Sequence, residues 1–586
     1  MFLFNRNQSE QSQTAPRRKN RGCLVGVLIF IAAYVVFCGM IGKAMFSQSE
    51  TKLQDQTVYK LEMKGTVMEQ GQEDNPFAAL MSDMPGMGAN AQQVVGLDDL
   101  INNIRLAKTD DRVRGIVLKD GSFNIGMASA KTLRDELIDF KSSGKFLIAY
   151  AESYGEVNYY IASVADRIYL NPVGMVEWHG LASIKLYYPR LLEKIGVKMN
   201  VLKVGTFKSA VEPYFCTKMS DADKKQTMQF LNGAWNIMCE GVAQSRNLTV
   251  SQLNAYADEL VELMPQEKYL QYGLVDSLIY SNDLDTIVRE LTGTKDYKVV
   301  STTAMSNVKR DEAKVDSHVA VLYAEGEITD ETGEGIVGKK MLKTIRKIAE
   351  NDKVKAVVLR VNSPGGSANA SEQIWHAIQT LREKGLPVVV SMGDYAASGG
   401  YYISCGSDYI YAQPNTLTGS IGIFGLIPDF SRLRDKVGVD IDGVGTNKFS
   451  TSHMVLKGMT TEEHALMQSM IERGYDLFTR RCAEGRHTTQ DSIKLIGEGR
   501  VWLGQDALTI GLVDEIGGLD DAIAKAAELA GIEHYTPIYY PARKDFFEQF
   551  MQALDNTSKE EKFLMHIKER CSQPRIMTLM PEQIIR

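Results

Sequence analysis

Tyr401–Pro414 reads YYISCGSDYIYAQP, and Tyr159–Pro172 reads YYIASVADRIYLNP, so one stretch is stated twice, 242 residues apart. Working outward, four more pairs keep the same order. VYKLEMKGTV from Val58 matches VAVLYAEGEI from Val319, and DDRVRGIVLK from Asp110 matches NDKVKAVVLR from Asn351. EKIGVK from Glu193 matches DKVGVD from Asp435, and MPQEKYLQYGLVDSL from Met264 matches WLGQDALTIGLVDEI from Trp502. The shifts run from 238 to 261 residues, which needs only small insertions and is far too long a period for a solenoid. The chain is therefore read as a duplicated domain.

Within each copy the pattern alternates. RGIVLK and KAVVLRV are short β-branched runs bounded by charge, as buried strands are. A helical pattern follows each, with Leu133, Leu137 and Phe140 on one face in the first copy and Ile374, Ile378 and Leu381 in the second. Gly385 suits the end of the second helix. KFLIAY and LPVVVSM then read as strands, and the stretch around each GLVD reads as helical before a further strand or turn. Strand, helix, strand predicts an α/β fold, a parallel sheet with crossover helices. Ser281–Asp316 reads as the connection between the copies. The tail from Pro541 to Arg586 is charged and gives no reading.

At 586 residues the chain has room for two or three domains, and 44% hydrophobic with 24% charged residues is ordinary for globular protein. A net charge of −7 gives no reason to expect nucleic acid. Seven cysteines without a CxxC pair form neither a disulfide framework nor a zinc site. Leu24–Gly42, LVGVLIFIAAYVVFCGMIG, carries no charge and approaches the roughly 20 residues that a spanning helix requires. Arg17, Arg18, Lys19 and Arg21 stand just before it, which predicts an uncleaved anchor with its N-terminus in the cytoplasm. Gln70–Asn90, rich in Gly, Met, Pro, Ala and acidic residues, reads as a loop. The expected segments are 1–22 cytoplasmic, 23–46 transmembrane, 47–310 first repeat, 311–540 second repeat and 541–586 tail.

The copies differ where chemistry would lie. GDYAASGG places Ser398 among small residues that let a substrate carbonyl approach and permit a sharp strand-to-helix turn exposing the hydroxyl. The first copy has Glu156 there. NSPGGSA follows the KAVVLRV strand, and Gly365 and Gly366 can offer backbone N–H groups to a developing oxyanion. The same residues also suit an ordinary β-turn, and the first copy lacks the glycine pair. A serine nucleophile needs a base. His376, His453 and His464 are nearest in sequence, but none sits in a triad-like motif. A lysine kept neutral by burial can serve instead. Lys208 in GTFKSAVEP has apolar neighbours that fit partial burial, whereas a lone lysine is ordinarily a solvated charge. Lys448 in GTNKFSTS is a rival that spacing alone does not exclude.

These motifs, together with TLTGSIG and GRVWLGQDALTIGLVDEIGGLDDAI, resemble the long, tandem form of the signal peptide peptidase A (protease IV) family, from the anchor to about Ala530. The resemblance implies two tandem ClpP/crotonase-like domains after one transmembrane helix, and a serine protease with a Ser–Lys dyad. By motif it implies Ser398 as nucleophile, Lys208 as general base, Ser420 as the hydroxyl holding the lysine, and Gly365 and Gly366 as oxyanion donors. It also implies remnant signal peptides as substrates, a bilayer as partner, a homotetramer, no cofactor or metal, and a periplasmic catalytic part at the bacterial inner membrane. A crotonase-like acyl-CoA enzyme and a catalytically silent membrane scaffold are the alternatives.

Overall fold

The computed structural model describes residues 51–71, 94–310, 315–333, 335–452, 454–543, 575–579 and 584–585. The anchor at Leu24–Gly42, most of the loop at Gln70–Asn90, and His453 lie outside them. Among the described residues no helix is long and apolar enough to cross a membrane.

Two sheets, the first parallel and the second parallel except for its edge strand Val501–Leu503, carry the duplication. Among the described residues the first has seven strands. Thr57–Met68 pairs with Val94–Gly96, Val113–Asn124 and Lys298–Ser301, and the sheet continues through Phe146–Ala151 and Arg167–Leu170 to Ser277–Leu278. In the second, His318–Glu325 lies between Val354–Ser363 and Thr536–Tyr540. Val388–Ala397 pairs with Val354–Ser363, then with Tyr409–Ala412 in its first half and Leu417–Gly419 in its second. β-Branched runs in both copies form the central strands, because they are covered on both faces. The crossover helices Met127–Lys141 and Ala368–Glu383 bury the expected faces: Leu133, Leu137 and Phe140 are fully buried, as are Ile374 and Leu381. Gly385 follows the second helix with a φ of +82°, the left-handed conformation its position asks for. Equivalent contacts recur: Tyr159 and Tyr401 donate to Leu274 O and Leu512 O, and Arg246–Asp276 mirrors Arg486–Asp514.

Ser281–Asp316 is more than a connection. It supplies the helix Asp283–Thr292 and the strand Lys298–Ser301, which closes the first sheet as Thr536–Tyr540 closes the second. Its polar composition hid this, since a short edge strand keeps few apolar residues.

A third sheet joins the copies. Its order is Ile336–Val337, Ile328–Thr329, Gly365–Ser367, Arg575–Leu579, Phe424–Asp429 and Lys198–Lys203. The last strand comes from the first copy and pairs antiparallel with Phe424–Asp429. The copies are also tied by a buried Arg360–Glu69 ion pair, with Nε to Oε2 at 2.8 Å. In addition, Asp394 caps the first copy's helix, accepting from the N–H groups of Ala128 and Ser129 and from Ser129 Oγ.

Candidate active site

Ser398 stands where the strand Val388–Ala397 turns into the short helix Gly399–Ser404. Its φ of +56° is in a region a serine rarely occupies, a strain of the kind that collects at reactive turns. The turn is fixed on both sides: Ser398 N donates to Gly419 O and Tyr402 N to Ser398 O, each at 2.8 Å. Gly400 is required there, since a Cβ would lie 2.6 Å from Ser363 O. The turn was expected to expose the hydroxyl, but Ser398 is fully buried, with the side chain of Lys208 against it.

Lys208 follows the strand Lys198–Lys203 and caps the 3-10 turn Ser209–Tyr214. Its loop is fastened by Phe207 N donating to Glu498 O at 2.9 Å. Gln226 Nε2 on the helix Asp221–Arg246 donates to Phe207 O and Ser209 Oγ, both at 3.0 Å. The lysine is not partly but fully buried. Its Nζ lies 2.7 Å from Ser398 Oγ, 3.0 Å from Ser420 Oγ and 3.1 Å from Ser420 O. None of these oxygens is a carboxylate, and desolvation by the surrounding protein pushes its pKa well below the ordinary lysine value. Ser420 is held by its N–H donating to Arg500 O at 2.7 Å.

Two glycines that the motifs did not single out make room for the lysine. A Cβ on Gly499 would sit 2.6 Å from Lys208 Cβ, and one on Gly422 would sit 3.2 Å from its Cδ. The GR of GRVWLGQ was the only trace of Gly499 in the sequence.

Gly365 and Gly366 begin the strand Gly365–Ser367 beside this centre, with φ values of +106° and +154°. Gly365 N donates to Ser363 Oγ at 3.2 Å. Lys448 is elsewhere: its side chain is 68% exposed and pairs with Glu462. His376 and His464 are exposed. In the first copy Glu156 is buried and accepts from the N–H groups of His179 and Gly180, both at 2.9 Å. Burial raises its pKa, while those two N–H bonds oppose the shift. Its carboxylate serves to hold a loop.

An amine beside a serine hydroxyl, shielded from water, can accept the hydroxyl proton and so generate a nucleophile. Among the described residues no group of three His, Cys, Asp or Glu side chains could hold a metal ion.

Comparison with known proteins gives the class of enzyme. The model of peptidase family S49 matches residues 139–295 and 380–533, one segment in each copy, and a Clp protease model matches 311–418. Protease 4 of Salmonella typhi is 36% identical over 538 residues, 89% of this chain and 87% of that relative. Protease 4 of Haemophilus influenzae is 33% identical over 88% of this chain and 86% of its own length. The chloroplastic serine protease SPPA of Arabidopsis thaliana is 28% identical over 75% of this chain and 66% of its own. The parallel-sheet α/β fold, the duplication and this kinship agree: the chain belongs to peptidase family S49, in its tandem form, and is a serine protease.

Proposed function

We propose that Ser398 and Lys208 form a catalytic dyad, and that the protein is a membrane-anchored endopeptidase for apolar peptides such as cleaved signal peptides. The observation that carries the reading is the 2.7 Å approach of a fully buried lysine Nζ to the serine Oγ. A neutral amine has two N–H bonds and one lone pair. The two N–H groups match Ser420 O and Oγ, and the lone pair is left to receive the Ser398 proton. As Oγ attacks a peptide carbonyl, Lys208 takes that proton. The Gly365–Gly366 turn steadies the oxyanion, a role worth roughly 10²–10³ in rate per donor. The ammonium then protonates the leaving amine, and water releases the acyl group. Ser420 positions the lysine.

The anchor at Leu24–Gly42, with its preceding basic residues, supports a single pass with the N-terminus in the cytoplasm and the catalytic part at the outer face of the bacterial inner membrane. That placement suits peptides left in the bilayer. It also disfavours a CoA substrate, while the buried Ser–Lys contact disfavours a silent scaffold. A homotetramer is part of the proposal and would restrict the site to short or unfolded chains.

The test is hydrolysis of an apolar peptide across pH by the unaltered protein and by Ser398→Ala, Lys208→Ala and Lys448→Ala. Loss in the first two alone supports the dyad. Activity surviving Ser398→Ala would sink the reading.

A further inference from the structure

Lys208 sits in neither a helix nor a strand. Its φ of −74° and ψ of +76°, with Ser209 N donating to Phe207 O at 2.8 Å, make it the middle residue of an inverse γ-turn. Such a turn closes on one hydrogen bond, too little to hold a long side chain in one place. The amide of Gln226, a residue only 1% exposed on the helix Asp221–Arg246, brackets it. Gln226 Nε2 donates to Phe207 O and Ser209 Oγ, one residue to either side of the lysine. Asp223 Oδ1 lies 3.2 Å from the same nitrogen. At the other end of the amide, Oε1 accepts from Val501 N of the second copy at 3.3 Å. A glutamine amide donates from its nitrogen and accepts at its oxygen, and these partners use both ends.

Val501 belongs to the segment that holds the two serines. It lies opposite Gly419 where Val501–Leu503 pairs with Leu417–Gly419. Gly419 O accepts from Ser398 N, and Arg500 O, one residue before Val501, accepts from Ser420 N. One amide thus runs from the lysine turn to the backbone that fixes Ser398 and Ser420. Phe230 and Leu231 of the same helix pack with Val501 and Leu503. One turn beyond Gln226, Gln229 also crosses to the second copy, donating to Asp506 Oδ2 at 3.0 Å and accepting from Arg500 Nη2 at 2.6 Å. Both of its partners lie outside the lysine turn. The charges around the turn are engaged elsewhere. Asp223 is met by Lys185 Nζ at 2.7 Å, and Glu212 Oε1 accepts from Ser220 Oγ. Glu498 Oε2 lies 3.4 Å from Thr206 N, and the Arg500 guanidinium lies over the Phe207 ring.

We propose that Gln226 is a positioning residue for the dyad: it locks the lysine turn of the first copy to the strand of the second copy that fixes the two serines. This rests on the reading of Ser398 and Lys208 as the dyad. Gln226 touches neither reacting atom. It sets where Nζ stands and keeps water from it. A misplacement of about 1 Å can cost on the order of 10²-fold in rate. A loosened turn also admits water, which weakens the desolvation that holds the lysine neutral. The pH at which activity rises then moves up.

The experiment uses the full-length protein in detergent. Gln226→Met keeps the length and removes both ends of the clamp. Ser209→Ala removes one acceptor with little change of volume. Gln229→Met removes only the neighbouring tie between the copies. Each is assayed across pH for hydrolysis of a short apolar chromogenic peptide and for its rate of labelling by a small fluorophosphonate. Gln226→Met should lower kcat about ten- to a hundredfold, leave KM within about twofold, and raise the inflection of both rates by about one pH unit. Ser209→Ala should move kcat and the inflection the same way by less. Gln229→Met should leave both where they are. If Gln226→Met does not fold, Ser209→Ala decides. An unmoved inflection with kcat within about twofold in the folded Gln226 and Ser209 variants would overturn the proposal and leave the dyad standing. An equal shift in Gln229→Met would overturn it too, since the effect would then belong to the docking of the copies at large. Undiminished hydrolysis and labelling in Lys208→Ala would overturn both the proposal and the dyad.

Discussion

Lys208 pairs the function with a cost to the fold. An ammonium sealed from water is unfavourable, so burial lowers its pKa and the folded protein binds that proton more weakly than the unfolded chain does. Between the lowered folded pKa and the ordinary lysine value, the unfolded state holds one more proton. Stability therefore rises with pH across that window and is smallest below it. Lys208→Met keeps the length and removes the charge. It should lower kcat/KM by about 10³-fold or more, yet raise the thermal midpoint near neutral pH and flatten its rise with pH. Scanning calorimetry at several pH values, beside a peptidase assay, checks both. Catalysis should climb with pH through an inflection well below the ordinary lysine range, since only the neutral amine accepts a proton. Ser420→Ala, which frees the amine to wander, should cost about ten- to a hundredfold, mostly in kcat.

The loops and strands that deliver these side chains tolerate little change. Gly499 has a φ of +79° and its missing Cβ is where Lys208 passes. Gly499→Ala should displace the lysine and lose most activity, while far-ultraviolet circular dichroism stays native. Asp394, on the strand that leads into Ser398 four residues later, caps the helix Met127–Lys141 of the other copy. Asp394→Ala should cost about 1–2 kcal/mol in a denaturant titration. Glu69→Ala leaves Arg360 buried without its carboxylate and should cost about 3–5 kcal/mol, more than any surface pair of this protein would.

On the proposed reading, duplication let the two copies divide the work. The second keeps the serine turn; the first has a carboxylate in its place and contributes the lysine. Because Lys208 and Ser398 meet within one chain, mixing Ser398→Ala protein with Lys208→Ala protein should restore no activity. Recovery on mixing would mean that neighbouring chains exchange lysine loops. Neither copy expressed alone should hydrolyse peptide, since each lacks one partner.

Much of this was legible beforehand. The repeats, the β-branched strands and the helix faces are local patterns, because periodicity and burial act over a few residues, and Ser398 with its small neighbours is a local motif too. Spacing alone left open which lysine reaches the serine, although the GTFKSAVEP motif favoured Lys208 over Lys448; the pairing of Lys198–Lys203 with Phe424–Asp429 brings Lys208 in, while Lys448 stays exposed. The same holds for the clearance at Gly499, the inter-copy pair Glu69–Arg360 and the place of Arg575–Leu579 between Gly365–Ser367 and Phe424–Asp429. Each is a contact between residues hundreds of positions apart. Such contacts are selected by the closing of the sheets and not by any neighbour along the chain.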